Sequence, residues 1–233
     1  MNRVIALVVI SILVIPLIFS SGCGETVTIP SASASGETVT LPEPTLDGDM
    51  SLEQALLARR SVRSFSNGAL TLNELGQLLW AAQGITDSGG GRTAPSAGAL
   101  YPLEIYVVAG NVDGLADGIY KYTPDSHSLL RVLDGDFRQA LSQAAMSQSS
   151  VRQGAAAIVI MAVYARVTSK YGERGTRFVH LEAGHAAQNV CLEVVALKLG
   201  TVTVGAFDDD DVKKVVGAAP DEEPLYILPV GRR

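Results

Sequence analysis

The chain has 233 residues, enough for one core of ordinary size with tails and too few for a multidomain machine. Hydrophobic residues make up 47% and charged ones 18%, so apolar burial can offset chain entropy and a largely disordered body is excluded. A net charge of −6 argues against nucleic acid as a partner, while two cysteines (Cys23 and Cys191) and three histidines exclude a disulfide scaffold, a cysteine-rich cluster and a multi-histidine metal centre.

From Val4 to Phe19 the chain is almost wholly apolar behind a single positive side chain, Arg3, which is the pattern of an export signal. The run contains Pro16 and falls short of the ~18 to 20 residues that cross a bilayer comfortably. Ser20, Ser21 and Gly22 then lead to Cys23, a segment that resembles the lipobox of prokaryotic lipoproteins, although Ser20 stands where a leucine is usual. Residues 1–23 are therefore expected to export the chain and anchor it to the cell membrane through a lipid on Cys23, with an uncleaved signal anchor as the alternative. Residues 24–49 hold two copies of a repeat, GETVTIP and GETVTLP, joined by Ser31 to Ser35. Their composition offers no periodic apolar face and predicts a tether, with a short edge strand as the minor alternative.

The folded domain is expected over residues 50–233. Ser51 with Gln54, and Thr71 with Glu74, read as capping boxes that open two helices. Strands are predicted at Leu103 to Ala109, at Gly118 to Thr123 paired as a hairpin with Leu129 to Leu133, and at Ala155 to Tyr164. A long helix from about Thr176 to Leu199 is expected to stop at Gly200, followed by strand Thr201 to Ala206, a short helix capped by Asp208 and a last strand Leu225 to Val230. Interleaved strands and helices indicate an α+β or three-layer α/β domain.

Three segments could carry chemistry. RRSVRSF, Arg59 to Phe65, concentrates three guanidinium groups and two hydroxyls. That set suits a phosphate, through charge-assisted bidentate hydrogen bonds, but taken alone it reads first as basic residues at the negative end of the first helix dipole. GGGRTAPSAGALYP, Gly89 to Pro102, lets backbone approach a flat ligand or forms a plain surface loop, and it lacks the GxGxxG pattern of a dinucleotide fold. KYGERGTRFVHLEAGHAAQ, Lys170 to Gln188, carries His180 and His185 five apart, off the spacing for two ligands on one helical face, and Glu182 completes no HExxH motif. Both histidines read as plain helix residues. Cys191 lies in an apolar run and reads as buried, and Asp208 to Asp211 as a solvated helix start.

Taken in order, RRSVRSF, LLWAAQGIT, APSAGALYPLEIYVV, KYGERG, HLEAGHAAQN, TVGAF and the closing PVGR resemble the nitroreductase family, and most of all its branch of azoline oxidases and thiazole-forming dehydrogenases. The resemblance covers about Leu52 to Arg233. It implies an α+β, three-layer α/β/α fold around a mostly antiparallel sheet, an FMN-dependent oxidoreductase activity and a homodimer with flavin at the subunit interface. Residue by residue, it implies that Arg59, Arg60, Ser61 and Arg63 bind the flavin phosphate and ribityl chain. Pro95, Ser96 and Ala97 would pack against the isoalloxazine, usually from the partner subunit. Gly205 and Ala206 would face the reactive ring nitrogen, where many relatives have a glutamate in place of Gly205, and Arg232 would stand near the phosphate. Lys170 and Tyr171 match the lysine and tyrosine that do acid/base work in azoline-oxidising relatives, an exposed loop before the long helix being the simpler reading of the pair. The substrate is expected to be a small molecule or a peptide, with the electron donor or acceptor left open. The alternative from another class is a noncatalytic flavin- or ligand-binding lipoprotein.

Overall fold

A computed structural model describes residue 27 and residues 36–233. The expected export signal, Cys23 and most of the first repeat lie outside the described residues. Along the chain come β1 (Thr38–Thr40), α1 (Leu52–Ala58), β2 (Leu70–Thr71), α2 (Leu72–Gln83), β3 (Leu103–Ala109), β4 (Val112–Asp113), β5 (Gly118–Thr123) and β6 (Ser128–Asp134). They are followed by α3 (Arg138–Ala144), α4 (Ser149–Gln153), β7 (Ala156–Ala162), α5 (Ala165–Tyr171), α6 (Arg174–Ala196), β8 (Leu199–Thr201), α7 (Asp209–Val216) and β9 (Glu223–Arg232).

Seven strands form one sheet in the order β1-β6-β5-β3-β7-β9-β8, and every neighbouring pair is antiparallel. At its centre β7 is buried at all seven residues and pairs with β3 from Leu103↔Ala162 to Ala109↔Ala156. Because side chains alternate across a strand, apolar residues at every position require cover on both faces. Ile105, Val107, Ile158 and Ile160 meet Leu75, Leu78 and Leu79 of α2 and Val179, Ala183 and Val190 of α6 on one face. Val108, Val159 and Met161 meet Leu141 of α3 and Val212 and Val216 of α7 on the other. The result is the expected α/β/α sandwich. Among the described residues no helix is long and apolar enough to cross a membrane, and no group of three or more His, Cys, Asp or Glu is placed to hold a metal ion.

Both capping boxes form, with Ser51 and Thr71 accepting from the backbone N–H of Gln54 and Glu74. Three short helices, α3, α4 and α5, escape the sequence pattern because none has a side chain bonded at its N-cap, so the usual start signal is missing. The long helix stops earlier than expected, at Ala196, and Lys198 takes the left-handed turn at φ 59°. Gly200 instead lies within β8, where an added Cβ would come 2.7 Å from Val62 Cγ1, so its glycine serves a close backbone approach. Beyond Thr201 the expected strand reduces to one bridge, Val204↔Ile227.

The second repeat departs most from expectation. Thr38 to Thr40, assigned from composition to a tether, pair with Leu130 to Ser128 as the edge strand β1. Leu41 enters the core at 4% exposure. His127 bridges the segment to β5, with Nε2 2.9 Å from the Pro42 carbonyl and Nδ1 2.9 Å from the Tyr122 hydroxyl. A carbonyl only accepts, so Nε2 carries the proton and Nδ1 accepts from Tyr122. Gln77 closes the attachment by accepting from Thr45 N–H and donating to its carbonyl. The domain therefore extends N-terminally past residue 50. Leu41→Ala should cost about 2 to 5 kcal/mol, as for other buried leucines; denaturant unfolding of the protein from residue 36 onward checks this, and a cost below ~0.5 kcal/mol, the surface-substitution range, would mean that the segment is not part of the core.

Candidate active site

Two surfaces gather the residues singled out from sequence. The first runs along the β8–β9 edge. Leaving α1, the chain passes beside β8, where Val62 N–H donates to the Thr201 carbonyl at 2.8 Å and the Val62 side chain turns onto Gly200. Inward placement of Val62 leaves Ser61 and Arg63 exposed and Arg59 half-buried. The side chains of Arg59, Ser61 and Arg63 have no hydrogen bond or ion pair among the described residues. Arg60 behaves differently. Its Nη1 turns back to the carbonyls of Leu57 and Arg59, at 3.0 and 2.8 Å, so it satisfies the end of α1 as a basic residue near a helix C-terminus does. Gly205 and Ala206 lie exposed beyond the Val204 bridge, and a Cβ at Gly205 would meet nothing closer than Tyr226 at 3.8 Å. Packing within the chain does not demand a glycine there.

Arg232 is tied into the fold. Nη1 and Nη2 donate to the two Glu74 oxygens at 2.6 and 2.8 Å, and Nε donates to the Ala69 carbonyl at 3.0 Å. Such a bidentate pair ties β9 to α2, so the Arg232 guanidinium already has a carboxylate partner within the chain.

The second surface lies at the N-terminal half of α6. The Pro95–Ala97 loop leads into a 3-10 turn, Ala97–Ala99, in which Ser96 Oγ accepts from Tyr101 N–H at 2.9 Å. Gly98 sits at φ 66°, and a Cβ there would stand 2.7 Å from Tyr171 Oη and 2.9 Å from Lys170 Nζ. A side chain there would have to hold a left-handed backbone and displace the Tyr171 hydroxyl and the Lys170 ammonium. The loop and the Lys170–Tyr171 pair, far apart in sequence, thus meet at Gly98. Both residues close α5 and do not form a loop before the long helix. Arg166 anchors α5 by donating to the Tyr101 carbonyl at 3.0 Å and pairing with Glu104, while Tyr164 Oη lies 2.6 Å from His180 Nε2 on α6. Tyr171 stands edge-on to Phe178, ring centres 5.2 Å apart, and Lys170 Nζ lies 5.4 Å from the Tyr171 ring centre. Lys170 is exposed in the single chain.

Sequence reasoning passed over Glu182 and Arg92. Glu182 falls among Val179, Ala183 and Ala186, which makes it part of the buried stripe of α6, and its 2% exposure follows from that spacing. Among the described residues neither carboxylate oxygen has a partner in bonding geometry. Burial pushes its pKa up to about 7 from the ordinary 4.5, while the nearby Ser96 hydroxyl and the Arg92 charge pull it back. Arg92 stacks over Tyr101 at 4.4 Å and donates to Gln83 Oε1 at 2.8 Å. The helical period was the signal that could have found Glu182. Cys191 is buried as expected, and burial raises its thiol pKa.

A three-layer sandwich about this antiparallel sheet, with arginines unpaired among the described residues along one edge and a lysine–tyrosine pair against a small-residue loop, is the fold of flavin-dependent oxidoreductases. The Nitroreductase family model matches residues 56–232, and the chain belongs to the nitroreductase family. It is 46% identical over 185 residues to MJ1384 of Methanocaldococcus jannaschii, a protein named for nitroreductases, covering 79% of this chain and 92% of that one. A crystal structure from Ralstonia eutropha, also named for nitroreductases, superposes with a TM-score of 0.73 at 32% identity, over 86% of this chain and 92% of that one. The microcin B17-processing protein McbC of Escherichia coli is 29% identical over 154 residues, 63% of this chain; the match spans 56% of McbC.

Glu182 yields a test of the site that needs no ligand. It ionises at about 7 in the fold and near 4.5 in the unfolded chain, so its favourable contribution is full below pH 4.5 and is lost as pH rises through 7. Between pH 5 and 8 the unfolding free energy of the parent should fall by about 2 to 3 kcal/mol relative to Glu182→Gln. Parallel pH profiles for the two proteins would show that the carboxyl is not held in this way.

Proposed function

We propose that the protein is an FMN-dependent oxidoreductase of the azoline-oxidase kind, acting on a small organic molecule or a peptide. The observation that carries the reading is the stretch from Arg59 to Arg63, pinned to β8 by Val62 while two guanidinium groups and one hydroxyl are left without partners among the described residues. Such a donor set fits a single phosphate monoester, and the pyrophosphate fingerprint of longer dinucleotides is missing from the sequence. Arg59, Ser61 and Arg63 would hold the FMN phosphate, and the exposed backbone at Gly205 and Ala206 would leave room for the ring. Bound flavin supplies acceptance and donation of hydride, which the protein orients.

The loop at Pro95–Ala97 and the Lys170–Tyr171 pair form the other wall. Loss of hydride from carbon is accompanied by loss of a proton, and Lys170 Nζ with Tyr171 Oη would take and orient that proton. In one chain this wall and the arginines lie toward different ends of α6: Phe178 and Glu182 are near the former, while the Arg59 charge is felt at Cys191. From Glu182 to Cys191 is about 14 Å along the helix at ~1.5 Å per residue. A homodimer that brings the loop of one subunit over the flavin of the other would join the two walls and cover Lys170. Support for a subunit contact comes from α1 and α6, where Leu52, Leu56, Leu57 and Leu181 are all more than half exposed. The apolar run Val4 to Phe19 ahead of Cys23 supports export and lipid anchoring.

Arg59→Ala and Arg63→Ala should each weaken FMN binding by about 1.5 to 3 kcal/mol in a fluorescence titration, and unchanged affinity in the double variant would remove this site. Lys170→Ala and Tyr171→Phe should keep full FMN occupancy yet lose turnover about a hundredfold or more, whereas parent rates would point to a hydride shuttle without a side-chain base. In light scattering the parent should have twice the mass of one chain, Leu57→Glu should shift it toward monomer, and a flavin-loaded monomeric parent would contradict the shared site. Cys23→Ser should release the protein from the membrane fraction or block its processing, and continued anchoring would favour an uncleaved signal.

A further inference from the structure

The repeat in the N-terminal segment ends where the contacts of β1 end. Residues 24–30 and 36–42 read GETVTIP and GETVTLP, whereas the five residues after each copy, SASAS and EPTLD, share no identity. The contacts that seat the second copy beside β6 run from Gly36 to Pro42. Gly36 turns at φ 66° and its N–H donates to the Arg131 carbonyl, while the Glu37 carbonyl accepts from Arg131 N–H and its carboxylate lies 3.6 Å from the same guanidinium. Thr38 to Thr40 pair with Leu130 to Ser128, Leu41 fills the core and the Pro42 carbonyl meets His127. The duplicated residues are thus the ones that the slot on β6 holds.

The first copy supplies the same set. Gly24 stands for the left-handed Gly36, Glu25 for Glu37, Thr26, Val27 and Thr28 for the strand itself and Pro30 for Pro42. The one difference puts Ile29 in the place of Leu41, a volume-conserving swap of the kind that cores tolerate best. Beyond the repeat, Gln77 clasps only the backbone N–H and carbonyl of Thr45, and Ser33, twelve residues earlier, carries the same two groups. Val27, a described residue of the first copy, is half-buried against the second core cluster, so this copy reaches the domain. We propose that residues 24–30 are a second occupant of the β1 slot and exchange there with residues 36–42 in the same register. The strand pairing and the buried aliphatic side chain are retained in the exchange. What changes is a longer loop before α1, whose entropic cost grows only slowly with length.

Exchange resets the spacing between the domain and Cys23. Twelve residues, 24–35, separate Cys23 from Gly36, and at ~3.3 to 3.6 Å per extended residue they span at most about 40 Å. In the other register Gly24, the residue after Cys23, begins the strand, and that span is gone. With a lipid on Cys23 the slot acts as a two-position strap that sets the height of the domain above the membrane. This consequence rests on the lipid anchoring proposed above, while the exchange itself stands on the slot and the repeat.

Disulfide trapping in the full chain tests the exchange, with Cys23→Ser removing a competing thiol and Cys191 buried. Because Arg131 bonds Glu37, the next pair, Thr38 with Leu130, is a non-hydrogen-bonded one, the closer kind that a disulfide can bridge, and both residues are exposed. Thr38→Cys with Leu130→Cys reports the observed register, and Thr26→Cys with Leu130→Cys reports the other. After mild oxidation, peptide mass mapping should find the link between positions 26 and 130 in about a tenth of the chains, since trapping collects a minor state. Leu41→Asp, which drives the second copy out by burying a charge, should raise that yield about fivefold, and Ile29→Asp should lower it about tenfold. A yield in the parent background no higher than with Ile29→Asp would mark random collision and overturn the proposal, as would the lack of this link in Leu41→Asp. Links between two chains in place of links within one would assign the slot to a second copy and overturn the exchange. Membrane retention of the protein with Cys23 intact keeps the two readings apart: exchange without lipid anchoring would support the second occupant and remove the strap, and anchoring without exchange would overturn this proposal alone.

Discussion

Burial of both faces of the β3–β7 pair is the constraint from which the rest of the molecule follows. Strands this apolar leave no face for solvent, so helices must cover the sheet twice, and two core clusters form. Polar chemistry is then displaced to the sheet edge and to the helix ends. Both candidate surfaces obey this rule. The arginine segment runs beside β8, the last strand of the sheet, and the Lys170–Tyr171 pair ends a helix that follows β7 directly.

Within that frame α6 is the connecting element. Its buried stripe packs on the sheet, its early turns carry Phe178 and Glu182 under the Pro95–Ala97 loop, and its later turns pass near Arg59. Glu182 is the one place where the stripe breaks its own apolar rule. Natural sequences tolerate such local conflicts chiefly at functional or strained sites, because a buried group without partners costs stability that packing must offset.

Much of this was legible in the sequence, for physical reasons. Capping boxes were legible because Ser51 with Gln54 and Thr71 with Glu74 satisfy orphan N–H groups through local contacts alone. Central strands were legible because β-branched runs such as AAIVIMA suit no exposed structure. What escaped depended on distant partners. Nothing local in GETVTLP says that β6 will receive it, that Leu41 will be buried or that Gln77 will clasp Thr45. Likewise, the same basic character hides three different fates: Arg60 closes a helix, Arg232 pairs with Glu74, and Arg59 with Arg63 has no side-chain partner among the described residues. The meeting of the loop with Lys170 and Tyr171 at Gly98 is a tertiary event that spacing alone cannot express.

The account rests on flavin at the arginine-lined edge, and the most direct measurement is the visible absorption spectrum of the purified protein, followed by mass identification of any chromophore released on denaturation. The account predicts the two absorption bands of an oxidised flavin and a released species with the mass of FMN, near one per chain. A colourless protein that takes up no FMN when it is supplied, or a chromophore of another kind, would contradict it.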